Sequence, residues 1–311
     1  FHCMTQWWTR GPSSSSQVVA CTSLTDLKHQ LRWNESMDGQ DSTRPWIDRA
    51  GISLLIYAAM VNQVELVREV LKLYDDRKPQ ILAWRFLKKG VVEVGIPGHS
   101  TCLFGAMCFA SSEIVVELLR AGADVKTTDI MGTDPFMAAC GFGRLENMKT
   151  WMDHNSEWEV NKSNTRFGAT ALHIAVYMGQ RKLDIVRYLV KSKKADVFAL
   201  NNAGASVLTL ACGNEDADPK VIQYLIQETR ICVNHQIESQ TTKWKVVRAA
   251  ARLVVRYKLT ASKLMKRIAE NCGLTALHYA ARRGDVEIVE LLLEYGAKTS
   301  IKNDLGRDVL S

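Results

Sequence analysis

Histidines and cysteines are the residues of this 311-residue chain best suited to chemistry, because imidazoles and thiolates bind metals and act as bases or nucleophiles. The seven histidines share no spacing with cysteine, aspartate or glutamate that is typical of a metal site. The eight cysteines are scattered without pairing or metal-ligand spacing, which indicates reduced, buried thiols. We therefore expect no metal ion and no cofactor.

Motifs for phosphate binding and catalysis are also missing from the sequence. It contains no G-x-x-x-x-G-K-S/T loop, no G-x-G-x-x-G after a strand and no G-x-S-x-G, and no nucleophile is paired with a base. The run Gly141-Phe142-Gly143 falls at a turn between two predicted helices, where a structural role accounts for it. The sequence therefore predicts that this chain is not an enzyme.

A short motif recurs along the chain and organises it into units. Thr170-Ala171-Leu172-His173 returns as Thr275-Ala276-Leu277-His278, and each copy lies two residues after a glycine. If the residue two before the threonine position is taken as an anchor, the anchors are Gly51, His99, Gly132, Gly168, Gly204 and Gly273. Alanine follows each anchor by seven residues, and most anchors are then followed by an apolar run with i, i+3, i+4 spacing. That spacing is typical of the buried face of a helix.

This pattern resembles the ankyrin repeat, whose signature is T-P-L-H-x-A in a unit of about 33 residues. The resemblance covers about Gly51 to Ser311 and is strongest at Gly168 and Gly273. It implies an all-α, ankyrin-repeat solenoid of stacked helix-turn-helix units with short finger turns, in which each unit contacts only its neighbours. It also implies a structural role for His173 and His278, whose imidazoles hydrogen-bond locally in this family.

Two segments interrupt the repeats. We expect residues 1–45 to be flexible and residues 46–311 to form the ankyrin-repeat domain, with helical insertions at about 75–97 and 236–272. Residues 81–87 have helical apolar spacing, so the first insertion is predicted to cover an exposed edge of the stack. The second insertion lies in an anchor-to-anchor gap of 69 residues, about two repeat lengths. It is either a degenerate seventh repeat or an extra helical hairpin on a finger loop.

The second insertion carries the positive charge of the chain. The net charge is +7, and residues 241–267 contain nine Lys or Arg and no acid; without those nine, 31 basic residues remain against 33 acidic ones. Helical spacing over 242–268 predicts a basic face with Lys245, Arg248, Arg252 and Arg256, and an apolar face with Trp244, Val247, Ala251 and Val254. Such a helix is typical of a calmodulin target or of a helix on an anionic membrane surface. Alternatively, the apolar face packs on the next repeat and the arginines face water, where they could still attract an acidic partner.

A partner-binding surface is implied by the family resemblance. Ankyrin-like stacks bind ligands through the finger turns and the exposed side of the first helices, which form a concave groove. Carried onto this sequence, that surface contains Phe109, Ile130, Met131, Phe142, Phe167, Tyr177, Met178, Arg282 and Arg283. Such a groove would suit a partner with hydrophobic anchors followed by acidic residues. The alternative is that the first insertion, with Trp84 and Phe86, covers these side chains.

The leading hypothesis is a non-catalytic protein–protein interaction module, a scaffold or adaptor, in the cytoplasm or nucleus. The runner-up is a regulatory module whose basic helix binds calmodulin or anionic lipid, or the regulatory part of a larger enzyme or channel. No base-reading motif accompanies the basic residues, so no nucleic-acid partner is predicted. No apolar run approaches the 18 residues of a transmembrane helix. The first residue is Phe and the last residues match the start of another repeat, so we expect a fragment.

Overall fold

The computed structural model describes Thr25 and residues 53–60, 62–75, 78–83, 85, 100–178, 182–257, 273–304 and 306–310. Apart from Thr25, the segment expected to be flexible, residues 1–45, lies outside the described residues, as do Trp84, Phe86 and residues 258–272. The described part of the chain is helical, and its β-pairing is limited to two isolated bridges. The chain divides into two compact units, Phe1–Glu159 and Val160–Ser311.

The first unit is built from pairs of short helices in two layers. Helices α1, α4 and α6 pack side by side in one layer, helices α2, α5 and α7 do so in the other, and α3 packs against α4. Their bounds are α1 Leu54–Met60, α2 Val64–Leu73, α3 Lys78–Ala83, α4 Cys102–Phe109, α5 Ser112–Arg120, α6 Pro135–Gly141 and α7 Leu145–His154. Helix α3 lies within the first insertion, of which Asp75 and Arg85 are also described, and it buries Ile81 and Leu82.

The second unit repeats this two-layer arrangement. Helices α8, α10 and α13 form one layer, and helices α9, α11 and α14 form the other. Their bounds are α8 Ala171–Met178, α9 Lys182–Arg187, α10 Val207–Gly213, α11 Pro219–Thr229, α12 Thr242–Arg256, α13 Ala276–Arg283 and α14 Val286–Glu294. A π-helical turn, Tyr188–Ser192, continues α9. Helix α12 belongs to neither layer.

Local sequence explains why the first helix of each pair begins where it does. A hydroxyl or carboxylate side chain at the position before the helix accepts a hydrogen bond from a backbone N–H in the first turn, as at Thr101, Asp134, Ser206 and Thr275. Further along each of these helices, the alanine seven residues after the anchor is 0 to 3% exposed; these residues are Ala58, Ala106, Ala139, Ala175, Ala211 and Ala280. A residue without a long side chain is needed there because the helices of one layer lie close together.

Finger turns connect successive helix pairs, and α12 projects from one of them. Each finger is closed by a backbone hydrogen bond, as from Asn201 N–H to the Ala205 carbonyl, 3.1 Å. The equivalent bond of the next finger joins Ile237 N–H to the Leu274 carbonyl, 3.0 Å, so the residues between them are inserted at the tip of a finger. Helix α10 packs directly against α13, and α11 against α14, which leaves no room for a repeat between them. The segment is therefore a finger insertion and not a seventh repeat.

Candidate partner-binding surfaces

Two phenylalanines form a partly exposed aromatic edge on the first unit. Phe109 is the last residue of α4 and Phe142 directly follows α6, and their rings meet edge to face with centroids 4.8 Å apart. Both rings are half-buried, since they pack on a core cluster of Phe104, Cys108 and Ala138. Edge-to-face contact is a favourable geometry for aromatic rings. The pair therefore presents apolar surface to a partner, and the core cluster beneath it holds the rings in place.

The carbonyl groups at the end of α4 are held by the following helix pair. Arg144 Nη2 donates to the Phe109 carbonyl, 3.3 Å, and to the Ala110 carbonyl, 2.5 Å. The Asn147 side-chain amide also donates to the Ala110 carbonyl, 3.0 Å. The last carbonyls of a helix have no partner within that helix, so these side chains satisfy them and fix the backbone beneath the aromatic edge.

The finger turn that precedes α6 places two predicted residues beside each other. Ile130 is 46% exposed and Met131 is half-buried. Asp129 Oδ1 accepts hydrogen bonds from Met131 N–H, 2.7 Å, and Thr133 N–H, 2.8 Å, and so shapes the turn. Burial raises the pKa of Asp129 to about 6, even though these hydrogen bonds favour the ionised form. Ile130 is the most accessible apolar side chain of those predicted for this unit.

In the second unit, the predicted apolar residues divide between surface and core. Phe167 is half-buried at a finger tip, with the Arg166 guanidinium 5.8 Å from its ring centroid, and Met178 is half-buried at the end of α8. Tyr177 is only 8% exposed, so the prediction that it is a surface anchor is wrong. Cys108, which also lies nine residues after its anchor, is buried too, whereas Arg282 at the same position of the last repeat is exposed.

The two predicted cations also have different environments. Arg282 is exposed, and its guanidinium lies 5.3 Å from the ring centroid of Tyr279. Arg283 Nη2 donates to the Glu215 carbonyl, 2.8 Å, and Nη1 donates to the Cys212 carbonyl, 3.5 Å. Arg283 thus closes the end of α10 much as Arg144 closes α4. Of the two predicted cations only Arg282 is exposed, and its binding role stays a prediction.

Sequence reasoning missed the apolar surface beneath Arg282. Leu210 and Tyr279 are half-buried and pack together on a cluster of Ala205, Ile237 and Leu274. Both residues lie six positions after an anchor, Gly204 or Gly273. Comparing that position across the repeats would have found them.

The predicted arginine face of α12 is turned toward the finger turns. Arg248 is 5% exposed; its Nη2 donates to the Ala203 carbonyl, 2.7 Å, and its Nη1 to the Ile237 carbonyl, 3.4 Å. Arg252 forms an ion pair of 2.8 Å with Asp304 in the following finger. The expectation that the arginines face water is therefore wrong for Arg248, because backbone carbonyls at the finger tips bind its guanidinium. Lys245 is exposed, whereas the side chain of Arg256 lies outside the described residues.

The predicted apolar face of α12 lies on the same side as Arg248. Ala251 is fully buried, and Trp244, Val247 and Val254 are half-buried. A second apolar stripe, which sequence reasoning missed, points to solvent: Val246 is 62% exposed, Leu253 55% and Tyr257 65%. Its signal in the sequence is the i, i+7, i+11 spacing of these three residues.

The two histidines of the recurring motif serve the helix caps. Thr275 Oγ1 accepts from His278 N–H, 3.4 Å, while His278 Nδ1 accepts from Thr275 N–H, 3.2 Å, and Thr170 and His173 make the same pair of bonds. Burial lowers the pKa of His173 to about 4 and also lowers that of His278. Both imidazoles are therefore neutral at pH 7 and act structurally.

Four of the described cysteines have surroundings that suppress their reactivity. Among the described residues, no group of three His, Cys, Asp or Glu is placed to hold a metal ion. Cys102, Cys108, Cys140 and Cys212 are buried free thiols, and burial raises the pKa of each of them. A thiol held in its neutral form is a poor nucleophile. Within the described ranges, every helix is too short or too polar to span a bilayer.

Comparison with known proteins agrees with this architecture. The family model for ankyrin repeats (3 copies) matches residues 103–201, 137–237 and 183–303. Over 44 residues the chain is 50% identical to ankyrin repeat protein L92 of Acanthamoeba polyphaga mimivirus; the match covers 14% of this chain and 11% of that protein. The chain thus spans a small part of the length of that relative.

Two solved structures share the fold at low sequence identity. The ankyrin repeat domain of Bcl-3, a member of the IkappaB protein family, is 22% identical with a TM-score of 0.55, over 84% of this chain and 94% of that chain. The ankyrin repeat domain of human ASB11 is 19% identical with a TM-score of 0.54, over 83% of this chain and 90% of that chain. These likenesses confirm the predicted all-α, ankyrin-repeat fold, and with the family match they show that the chain belongs to the ankyrin repeat family.

Proposed function

We propose that the chain is a non-catalytic scaffold or adaptor module that binds a protein partner through the aromatic edge, Phe109 and Phe142, and through the finger residues Ile130 and Met131. Ankyrin repeats generally mediate protein–protein interactions. The observation that carries the proposal is the partly exposed, edge-to-face ring pair, in which Arg144 and Asn147 hold the backbone at Phe109 and Ala110. A surface that needs little ordering loses less free energy on binding.

The chemistry of the surface indicates the kind of partner. Phe109, Phe142 and Ile130 are uncharged and partly exposed, so they suit an apolar anchor such as a leucine or aromatic side chain. Completing the burial of each should add roughly 1 kcal/mol to binding. In the second unit, Arg282 on the Tyr279 ring forms a separate candidate contact, which suits an acidic side chain.

We infer a reducing compartment, the cytoplasm or nucleus, from the state of the cysteines. Within the described residues, Cys102, Cys108, Cys140, Cys212 and Cys232 are all free thiols. Proteins of oxidising compartments usually pair their cysteines. The same surfaces would also serve a regulatory domain of a larger enzyme or channel.

The experiment compares partner capture by two variants matched in chemistry. Phe142→Ala removes half of the aromatic edge, whereas Leu73→Ser removes a 45% exposed leucine from α2. Quantitative mass spectrometry of captured proteins should show at least one partner reduced by about tenfold with Phe142→Ala and unchanged with Leu73→Ser. If every captured protein is recovered equally with both variants, while circular dichroism shows that both are folded, the proposal is wrong.

The runner-up, a basic helix that binds calmodulin or anionic lipid through its arginines, has less support. Calmodulin receives a target helix in a groove, and a ligand that engaged the arginine face would have to displace Arg248 from Ala203 and Ile237 and Arg252 from Asp304. We therefore expect no binding of calcium-loaded calmodulin to the folded chain by isothermal titration calorimetry. Binding that Arg248→Met abolishes would restore this alternative.

A further inference from the structure

We propose that the solvent-facing side of α12 is a second docking surface, for a protein partner that presents an apolar strip bordered by carboxylates. The surface, here called the finger stripe, consists of Val246, Leu253 and Tyr257 together with the exposed small residues Ala249 and Ala250. It uses none of the residues of the aromatic edge and stands whether or not the proposed function is right.

The finger stripe faces outward because contacts on the opposite side of α12 fix the rotation of the helix. Arg248 is bonded to carbonyls of two successive fingers, at Ala203 and Ile237, and Arg252 is paired with Asp304 of the next. Ala251, on the same side, is fully buried. Rolling the helix to bury the stripe would break these bonds and leave the Arg248 guanidinium without its acceptors.

The spacing of the stripe matches a helix that packs against another helix. Val246, Leu253 and Tyr257 recur at i, i+7 and i+11, which places them in a line about 16 Å long on one face. Regularly spaced apolar residues of this kind are what one helix presents to another along a shared seam. A helix that only had to cover the finger tips would not need large apolar residues on its far side.

The positive charge of α12 indicates which residues should border the partner's apolar strip. Helix α12 carries five basic residues and no acidic one: Lys243, Lys245, Arg248, Arg252 and Arg256. Lys243 and Lys245 are exposed and lie on opposite sides of the stripe in the helical register. Carboxylates that border the partner's apolar strip would face these cations and would favour that partner over a basic or neutral one.

A protein fits this surface better than a membrane does. Adsorption to anionic lipid gains affinity from each nearby basic side chain, but Arg248 is buried and Arg252 is already paired with Asp304. What remains on this face is a single line of three large apolar residues, which suits the directional packing of another helix.

The test measures the binding of a synthetic peptide to the 311-residue chain. The probe is a synthetic helical peptide with leucines at alternating three- and four-residue spacing between flanking glutamates, and the control peptide has lysines in place of those glutamates. Fluorescence anisotropy should show that the acidic peptide binds and the basic peptide does not, with affinity falling as salt rises. Val246→Ser with Leu253→Ser should weaken binding by about tenfold or more.

Two further variants show whether the peptide binds at the finger stripe and nowhere else. Phe198→Ser removes another apolar side chain of the second unit, 62% exposed, and should leave peptide affinity within about twofold. Phe142→Ala should also leave it unchanged, so failure of the proposed function and failure of this inference can be told apart. Absence of peptide binding, or equal binding by the double variant, overturns the proposal.

Other occupants of the stripe would give distinct results, and each would overturn the proposal. Sedimentation of the chain with 7:3 phosphatidylcholine–phosphatidylserine vesicles, lost in the double variant, would assign the stripe to a membrane. A concentration-dependent dimer that the double variant abolishes would assign it to a second copy of the chain. A lower thermal midpoint of the double variant, but not of Phe198→Ser, would show that the chain itself covers the stripe.

Discussion

Arg248 of the inserted helix donates a 2.7 Å hydrogen bond to the carbonyl of Ala203, at the tip of the preceding finger turn. This bond joins a helix that lies outside the two-layer repeat to the repeat itself. It also determines which side of α12 faces water. The finger insertion therefore has a fixed orientation although it enters and leaves through one turn.

Loss of the Arg248 guanidinium should destabilise the second unit. Arg248→Met keeps most of the apolar stem but removes the donor to the Ala203 carbonyl and one of the two donors to the Ile237 carbonyl, which Gly273 N–H also reaches, so we expect a loss of about 1–3 kcal/mol in the free energy of unfolding. Urea denaturation followed by circular dichroism measures it. Lys245→Met, at an exposed position of the same helix, should change stability by less than about 0.5 kcal/mol. Equal effects of the two substitutions would mean that Arg248 does not anchor the helix.

The first unit should gain stability when the buried carboxylate of its finger is neutralised. Asp129 occupies the finger position where Asn164 and Asn201 lie in later repeats, and the Oδ1 atom of each accepts backbone N–H bonds. Because burial raises the pKa of Asp129 to about 6, its ionisation destabilises the fold as pH rises from about 4 to 6. Asp129→Asn should stabilise the protein at pH 7 by about 1–3 kcal/mol and remove this step from the pH profile. Asp124→Asn, an exposed position, is the control, and an identical pH profile for both variants would contradict the assignment.

The second unit should respond to acid in the opposite direction because of its buried histidine. The pKa of His173 is lowered to about 4 by burial, so the unfolded chain binds a proton more readily between about pH 6.5 and 4. The contribution of His173 to the free energy of unfolding is fully present above pH 6.5. It decreases by roughly 2–3 kcal/mol as pH falls from about 6.5 to 4. His173→Gln should flatten the acid limb of the unfolding free energy against pH. If the exposed-site variant His154→Gln flattens it equally, His173 is not the group responsible.

A close approach between adjacent fingers should make Gly204 intolerant of a side chain. Its φ is +80°, and a Cβ atom would lie 1.6 Å from the Glu238 carbonyl oxygen. Gly296 has nearly the same φ, +82°, but open space around it. We expect Gly296→Ala to cost about 1 kcal/mol, for the backbone conformation alone, and Gly204→Ala to cost several times more because Glu238 must move. Chemical denaturation of both variants measures the difference, and equal costs would contradict the predicted stacking of the fingers.

The fold could be predicted from the sequence because its signals are local and repeated. The Thr-x-x-His cap at Thr170 and Thr275, and the small residue seven positions after each anchor, depend only on neighbouring residues. The 69-residue gap did not by itself separate a seventh repeat from a finger insertion. That choice depends on the bond between Ile237 and Leu274, two residues far apart in the sequence.

The candidate surfaces were predicted less completely, since exposure depends on what the next repeat contributes. Phe109 and Phe142 keep accessible rings, but Tyr177 is buried by its neighbours and Arg283 is bound to carbonyls of the preceding repeat. On α12 the amphipathic pattern was recognised, but Arg248 was expected in water. Helical periodicity shows which residues share a face, and it does not show which face finds backbone acceptors.

Site-specific photo-crosslinking tests the central claim most directly, because it reports which surface touches the partner. The photoreactive residue p-benzoylphenylalanine would replace Phe142 in the aromatic edge or Leu73 on α2, and crosslinked products would be identified by mass spectrometry. The account predicts a discrete protein crosslinked from position 142 and absent from position 73. A partner captured from position 73 and not from position 142 would contradict it.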